Sequence, residues 1–141
     1  MRDIRELVVL VTGGSRGLGR SLSLECAEAG ATVYTCARTN RGLDETVEQF
    51  DGEGTLIAQT ADITRPDQIS ELAGRIDDEE GRLDVLVNNA GVLGPRCTIE
   101  EVQLDAWRRT LEVNLDGTFI VSKRCIPLLR QSESGLVVNI S

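Results

Sequence analysis

The sequence predicts an α/β fold: a parallel sheet flanked by helices. Three observations carry that expectation. Short runs of β-branched and aliphatic residues alternate with amphipathic stretches along all 141 residues, which is the pattern of successive βαβ units. The first apolar run, Leu7 to Val11, feeds directly into Thr12-Gly13-Gly14-Ser15-Arg16-Gly17-Leu18-Gly19. Glycine-rich turns of this kind bring backbone amides up to a phosphate at a helix N-terminus. A later run, Val85 to Val87, ends in a second polar phrase, Asn88-Asn89-Ala90-Gly91.

Taken in order, the expected strands are Leu7–Val11, Ala31–Ala37, Thr55–Gln59, Leu83–Asn88 and Leu136–Ile140. Between the first two, a helix starts near Gly17. Its apolar face reads Leu18, Leu22, Cys26 and Ala29 at helical spacing, and Gly30 ends it, as glycine commonly does at a helix C-terminus. A second helix uses Leu43, Val47 and Phe50. A third opens with Thr64 as N-cap and Pro66 in its first turn, buries Ile69, Leu72, Ala73 and Ile76, and stops at Gly81. A loop from Val92 to Cys97 holds Gly94 and Pro95. A long helical region then runs from about Asp105 to Arg130. No internal repeat, low-complexity tract or linker interrupts the chain, so residues 1–141 read as one domain with enough length for a real core.

Composition narrows the possible partners. The net charge of −8 argues against nucleic acid and against an anionic membrane surface. No apolar run approaches the length of a membrane span. The N-terminal apolar stretch runs into the glycine turn without a small-residue cleavage site. It reads as a strand and not a signal peptide, which implies a cytoplasmic setting. Cys26, Cys36, Cys97 and Cys125 form no C-x-x-C pair and histidine is absent. No metal site is therefore expected, and the thiols read as reduced and mostly buried.

The two polar phrases, T-G-x-x-x-G-x-G and N-N-A-G, resemble the signatures of the short-chain dehydrogenase/reductase family. The resemblance runs through essentially the whole chain and covers the N-terminal half or so of a typical member. It implies a doubly wound, Rossmann-type sheet which, with right-handed crossovers, has the order 3-2-1-4-5. Two further strands of the family's sheet are missing. The implied activity is hydride exchange between a nicotinamide cofactor and an alcohol or carbonyl substrate. In the glycine octet, Gly13 permits the tight turn, Gly17 allows close approach to the pyrophosphate, and Gly19 lets the helix pack on the strand. The resemblance adds Ser15, Arg16, Leu18 and Val113 to the cofactor site. It also implies that Asp62 holds the adenine amino group, that Ile63 flanks the ring, and that Asn89, Ala90 and Gly91 line the ribose side. A simpler reading of Asp62 is a turn former before a helix.

Cofactor choice turns on the end of the second strand. NAD-selective dinucleotide folds place a carboxylate there; here the strand ends Cys36-Ala37-Arg38, and the next acid is Asp44. A forked guanidinium suits a 2′-phosphate. Arg16 points the same way, because family members with a basic residue in the glycine loop tend to use NADP. The expectation is NADP(H) over NAD(H), the alternative for Arg38 being a solvated surface arginine.

On the catalytic side the resemblance implies a Tyr-x-x-x-Lys pair, a serine and an asparagine. Asn114 matches the asparagine; a core amide bonded to backbone is the competing reading. Ser141 aligns with the residue just before the catalytic serine and remains a candidate only through a register error of one. The single tyrosine, Tyr34, has Arg38 four positions on and reads as packing. The only lysine, Lys123, reads as a solvated charge. No Tyr-x-x-x-Lys is present, so the chain alone is expected to be inactive. The rival to an enzyme is a truncated dinucleotide-binding fragment or one half of a split protein. The edge strand Leu136–Ile140, together with Phe119, Ile120, Ile126 and Leu129 on the long helix, leads to the expectation of a homo-oligomer or a partner-dependent chain.

Overall fold

The computed structural model describes residues 3–141. A short 3-10 turn, Ile4–Glu6, leads into β1 (Val8–Thr12), α1 (Gly17–Glu28), β2 (Thr32–Ala37), α2 (Asn40–Glu48), β3 (Thr55–Thr60), α3 (Pro66–Glu80) and β4 (Val85–Asn88). A second 3-10 turn, Ile99–Glu101, precedes α4 (Leu104–Leu111), a π-helical turn (Glu112–Gly117), α5 (Thr118–Leu129) and β5 (Leu136–Asn139). The sheet is five-stranded and parallel, in the order β3-β2-β1-β4-β5. This is the expected doubly wound α/β architecture.

All five residues of β1 are buried because the strand is covered on both faces. Its period of two divides the core. Val9 and Val11 join Ala27 of α1, Ala31, Val33 and Val87 on one face. Val8 and Leu10 join Tyr34, Ile69, Leu72 and Ile76 of α3, and Val121, Cys125, Leu128 and Leu129 of α5, on the other. The ends of the strands nearest the glycine turn are thus held by two cores, one from each side.

Several local expectations shift. In α1 the buried face is Gly19, Ser23 and Ala27, whereas Leu18 is exposed and Leu22 and Cys26 are only half-buried. Small residues take the closest contact, and Leu22 and Cys26 pack at its margin. Ser23 meets its hydrogen-bonding need on the Gly19 carbonyl (2.8 Å) and Thr35 Oγ1 (3.2 Å). In α2 the buried pair is Leu43 and Thr46, with Val47 exposed. The N-cap of α3 is Arg65, without a side-chain cap bond, because Thr64 is occupied by Asp62. On the long helical region Leu129 is buried and Ile120 packs against the core. Phe119 and Ile126 are exposed, and Phe119 continues an outward apolar stripe that begins with Leu104, Trp107, Leu111 and Leu115.

Tyr34 is fully buried, as a packing residue should be. Its hydroxyl donates to Glu79 Oε2 at 2.5 Å and lies 3.2 Å from Glu80 Oε1. Burial first, then those carboxylates, push its pKa far above the usual phenol. Lys123 stands over the Phe119 ring, 5.7 Å from its centroid. The cysteines are all free thiols; Cys36 and Cys125 are buried, Cys26 is half-buried and Cys97 is exposed.

Candidate functional site

The glycine turn leaves β1 at its C-terminal end, in the crevice beside the switch point where the strand order reverses. Gly13 has φ +76° and Gly17 φ +55°, backbone conformations that strain other residues. A side chain at Gly13 would press on Ala90 Cα at 2.9 Å, while one at Gly17 would meet nothing and would project into open space. Gly19 is excluded from the surface: a Cβ there would strike the Gly13 carbonyl and the Asn89 amide. Arg16 is the N-cap of α1 and offers no side-chain cap. The first-turn amides are therefore left to an outside acceptor, and the helix dipole favours an anion there.

Thr12 binds the two polar phrases to each other. Its Oγ1 accepts from the amides of Asn89 (3.1 Å) and Ala90 (3.0 Å), and its carbonyl accepts from Asn89 Nδ2 (3.0 Å). Asn88 turns the other way, donating to Ser122 Oγ (3.1 Å) and Asn139 Oδ1 (2.9 Å), and so ties β4 to α5 and β5.

Together these segments border a cleft of about 990 Å³. Gly13, Ser15, Arg16, Gly17, Arg38, Asp62, Ile63, Asn89, Ala90, Gly91 and Val113 all line it. Leu18 and Gly19 do not: the first is exposed and the second lies beneath the turn. Arg20, Thr39, Arg41 and Glu45 also line the cleft but were not expected from the sequence. Thr39, Arg41 and Glu45 come near through the docking of α2, which no motif records, and Arg20 comes with the first turn of α1. A chain with net charge −8 thus brings four arginines to one cleft against two carboxylates. That donor set, with uncapped amides and the apolar side chains of Ile63, Ala90, Val92 and Val113, suits a phosphorylated ligand with an aromatic end.

Asp62 is fixed by its own loop. Oδ1 accepts from the Thr64 amide (2.9 Å) and hydroxyl (2.7 Å), and Oδ2 lies 3.9 Å from Arg109. Burial works to raise its pKa, but the two Thr64 bonds, Arg109 and Arg38 outweigh it and hold the carboxyl below the ordinary value. It is anionic at neutral pH, with an oxygen left for a donor. Cys36, also on the cleft wall, is pushed by burial up to about 12 and carries no thiolate.

Asn114 does not line this cleft. It lies in the π-helical turn, and its amide pairs with the backbone of one residue: Oδ1 accepts from the Val92 amide and Nδ2 donates to the Val92 carbonyl, both at 2.8 Å. It sits beside Gly91, where a Cβ would stand 3.1 Å from Oδ1. Ser141 follows β5 and is exposed. Among the described residues, no group of three or more metal-ligating side chains occurs and no helix is long and apolar enough to cross a membrane.

Comparison with known proteins gives a consistent result. The sequence model of the family described as short chain dehydrogenase matches residues 7–141. An NADPH-dependent pterin aldehyde reductase of Arabidopsis thaliana is 35% identical over 133 residues, which cover 94% of this chain and 55% of that protein. A 3-oxoacyl-acyl-carrier-protein reductase of Thermotoga maritima is 33% identical, over 95% of this chain and 54% of its own length. Among solved structures, a short-chain dehydrogenase of Shigella flexneri complexed with NADP has a TM-score of 0.90 at 29% identity, covering 99% of this chain and 60% of that one. The NADP active-site complex of RhlG from Pseudomonas aeruginosa has a TM-score of 0.88 at 32% identity, covering 100% and 57%. The chain spans about half the length of the curated relatives it matches.

Proposed function

The chain belongs to the short-chain dehydrogenase family, and from that premise we propose that it forms the cofactor-binding portion of an NADP(H)-dependent oxidoreductase acting on an alcohol or carbonyl substrate. The bound nicotinamide supplies the hydride chemistry. The chain's own residues bind and orient it. Amides of Ser15, Gly17, Leu18 and Gly19 face the pyrophosphate at the start of α1. Arg38 and Arg16 take the 2′-phosphate. Asp62 accepts from the adenine amino group with Ile63 beside the ring, and Asn89, Ala90, Gly91 and Val113 line the adenosine ribose. Residues 1–141 act as one domain in this reading.

The observation that carries the cofactor choice is at the end of β2. Arg38 and Arg16 border the same cleft, and the strand end, Cys36-Ala37-Arg38, has no carboxylate to accept from a 2′-hydroxyl. The NADP-bound and NADPH-dependent relatives support the same choice. Asn114 is proposed to serve the reacting end by fixing Val92 at the cleft mouth and completing a proton relay; Ser141 is the weaker candidate at the end of β5.

For the 141-residue chain assayed alone, the reading is binding without turnover. Its one tyrosine is buried against Glu79, so no phenol is free to act as a general acid or base. Homo-oligomerisation, or docking on a partner, belongs to the same proposal. Fluorescence titration with NADPH and NADH tests the cofactor assignment. NADPH is expected to bind more tightly, and Arg38→Asp to reverse the order, because a carboxylate repels the 2′-phosphate and accepts from a 2′-hydroxyl. Equal affinities in the unaltered chain would remove Arg38 from the site.

A further inference from the structure

Arg20 follows the glycine octet immediately, in the first turn of α1, yet most of its bonds reach α2. Its Nε donates to Thr46 Oγ1 at 2.9 Å. Its Nη2 donates to the Ser15 carbonyl in the glycine turn and to the Gly42 carbonyl at 3.1 Å, and pairs with Glu45 Oε2 at 3.0 Å. Thr46, fully buried, adds a second tie. Its hydroxyl lies 2.8 Å from the Gly14 carbonyl and 2.9 Å from that of Gly42. Its single proton serves one carbonyl at a time while its lone pair takes the Arg20 donor. Gly42 touches the turn directly: a Cβ there would lie 2.7 Å from both Ser15 Cβ and the Ser15 carbonyl oxygen.

The segment between β2 and α2 is therefore pinned at both ends to the same turn. At its start the Cys36 carbonyl accepts from the amides of Gly13 (2.8 Å) and Gly14 (3.1 Å). At its end Gly42, Glu45 and Thr46 are held by Arg20. Arg38 lies between the pins. The Arg20 side chain is only 20% exposed, where charge-assisted bonds are strongest. Nε serves Thr46, and the two hydrogens of Nη2 are shared among Ser15, Gly42 and Glu45.

We propose that Arg20 is a positioning residue for cofactor selectivity: it holds the glycine turn and the Arg38 segment as one rigid unit, so that pyrophosphate and 2′-phosphate are read together. This rests on the NADP(H) reading above. The test uses the full chain and the variants Arg20→Met, Arg38→Ala and their double, each titrated with NADPH and NADH. Partial unfolding lowers the apparent affinity for both cofactors by the same factor and leaves their ratio unmoved. The ratio thus reports positioning and not stability. Arg20→Met is expected to shrink the NADPH preference by at least about fivefold, and to remove little more once Arg38 is gone. An unchanged ratio, or two substitutions that multiply independently, overturns the proposal.

Hydrogen exchange without any cofactor gives a second decision. Amides of residues 13–17 and 38–42 are expected to exchange faster together in Arg20→Met. A rise confined to one segment, or none, also overturns the proposal. If Arg20→Met does not fold, Thr46→Val takes its place, since it removes the hydroxyl shared by Arg20 and Gly14. An unaltered chain without NADPH preference refutes the cofactor reading alone, and the exchange result still judges the coupling.

Discussion

Asp84, just ahead of β4, is a carboxylate only 1% exposed. Its carboxylate accepts from the Val8 amide (2.9 Å), Arg82 Nε (3.1 Å) and Ser132 Oγ (2.6 Å), which joins β1 to the turn after α5. Burial alone would raise its pKa, but Ser132, Val8 and Arg82 outweigh it and hold the group below the ordinary 3.8. The unfolded chain therefore binds the proton more tightly than the folded one. The stability that Asp84 confers is complete above pH 3.8 and is lost as pH falls from there through the lowered folded value. Asp84→Asn is expected to cost about 2–3 kcal/mol at neutral pH, read from urea unfolding, because an amide must turn a donor toward one of three donors. The gap to the unaltered protein should close as the pH drops below 3.8. A gap that stayed constant would mean that folding leaves the Asp84 pKa unchanged. Arg38 is the contrasting case, an exposed side chain that borders the cleft and whose proposed value is in cofactor choice.

At the scale of elements, the π-helical turn Glu112–Gly117 is the part that departs from a regular repeat, and it is where Asn114 holds Val92. Two neutral hydrogen bonds are each worth roughly 1 kcal/mol net. Asn114→Ala should therefore speed exchange of the Val92 amide by about tenfold or more, measured by NMR, and leave β1 to β3 unaffected. Uniform acceleration would show a global role instead. Much of this architecture was legible in the sequence. The strands, the glycine turn, Pro66 at the head of α3 and the face Ile69, Leu72, Ala73 and Ile76 are local signals, and each was found where expected. The face of α1 was only partly so: Leu22 and Cys26 pack against the core, whereas Leu18 and Ala29 are exposed. Hydrophobicity favours Leu18, but the fully buried positions are Gly19, Ser23 and Ala27, and how closely two elements approach is not written in periodicity. The same limit hid Arg41 and Glu45 from the site, since their place depends on how α2 docks. Thr64 reads as a cap until Asp62, two residues earlier, is seen to occupy it.

For the whole molecule, two surfaces stand out. One is the stripe Leu104, Trp107, Leu111, Leu115 and Phe119, from 40% to 63% exposed, down one side of α4, the π turn and the start of α5. The other is β5, at the sheet edge with β4 as its one neighbour, carrying exposed Leu136 and Val137. Contiguous apolar surface and an open strand edge both favour association. Sedimentation over a concentration series is expected to show self-association, and Leu115→Glu to weaken it. A monomer at every concentration would count against both surfaces. The strand order has a further consequence, in time. Synthesis delivers β1, α1, β2, α2 and β3 first, and these make a contiguous half-sheet whose inner boundary is β1. The partner for that boundary, Val85–Asn88, is made only after α3 has emerged. During that interval the nascent protein displays the very strand that ends most deeply enclosed, with Val9 and Leu10 unpaired on one side. This is a window in which a chaperone or a wrong strand competes with β4. The first strand made is thus among the last to be sealed.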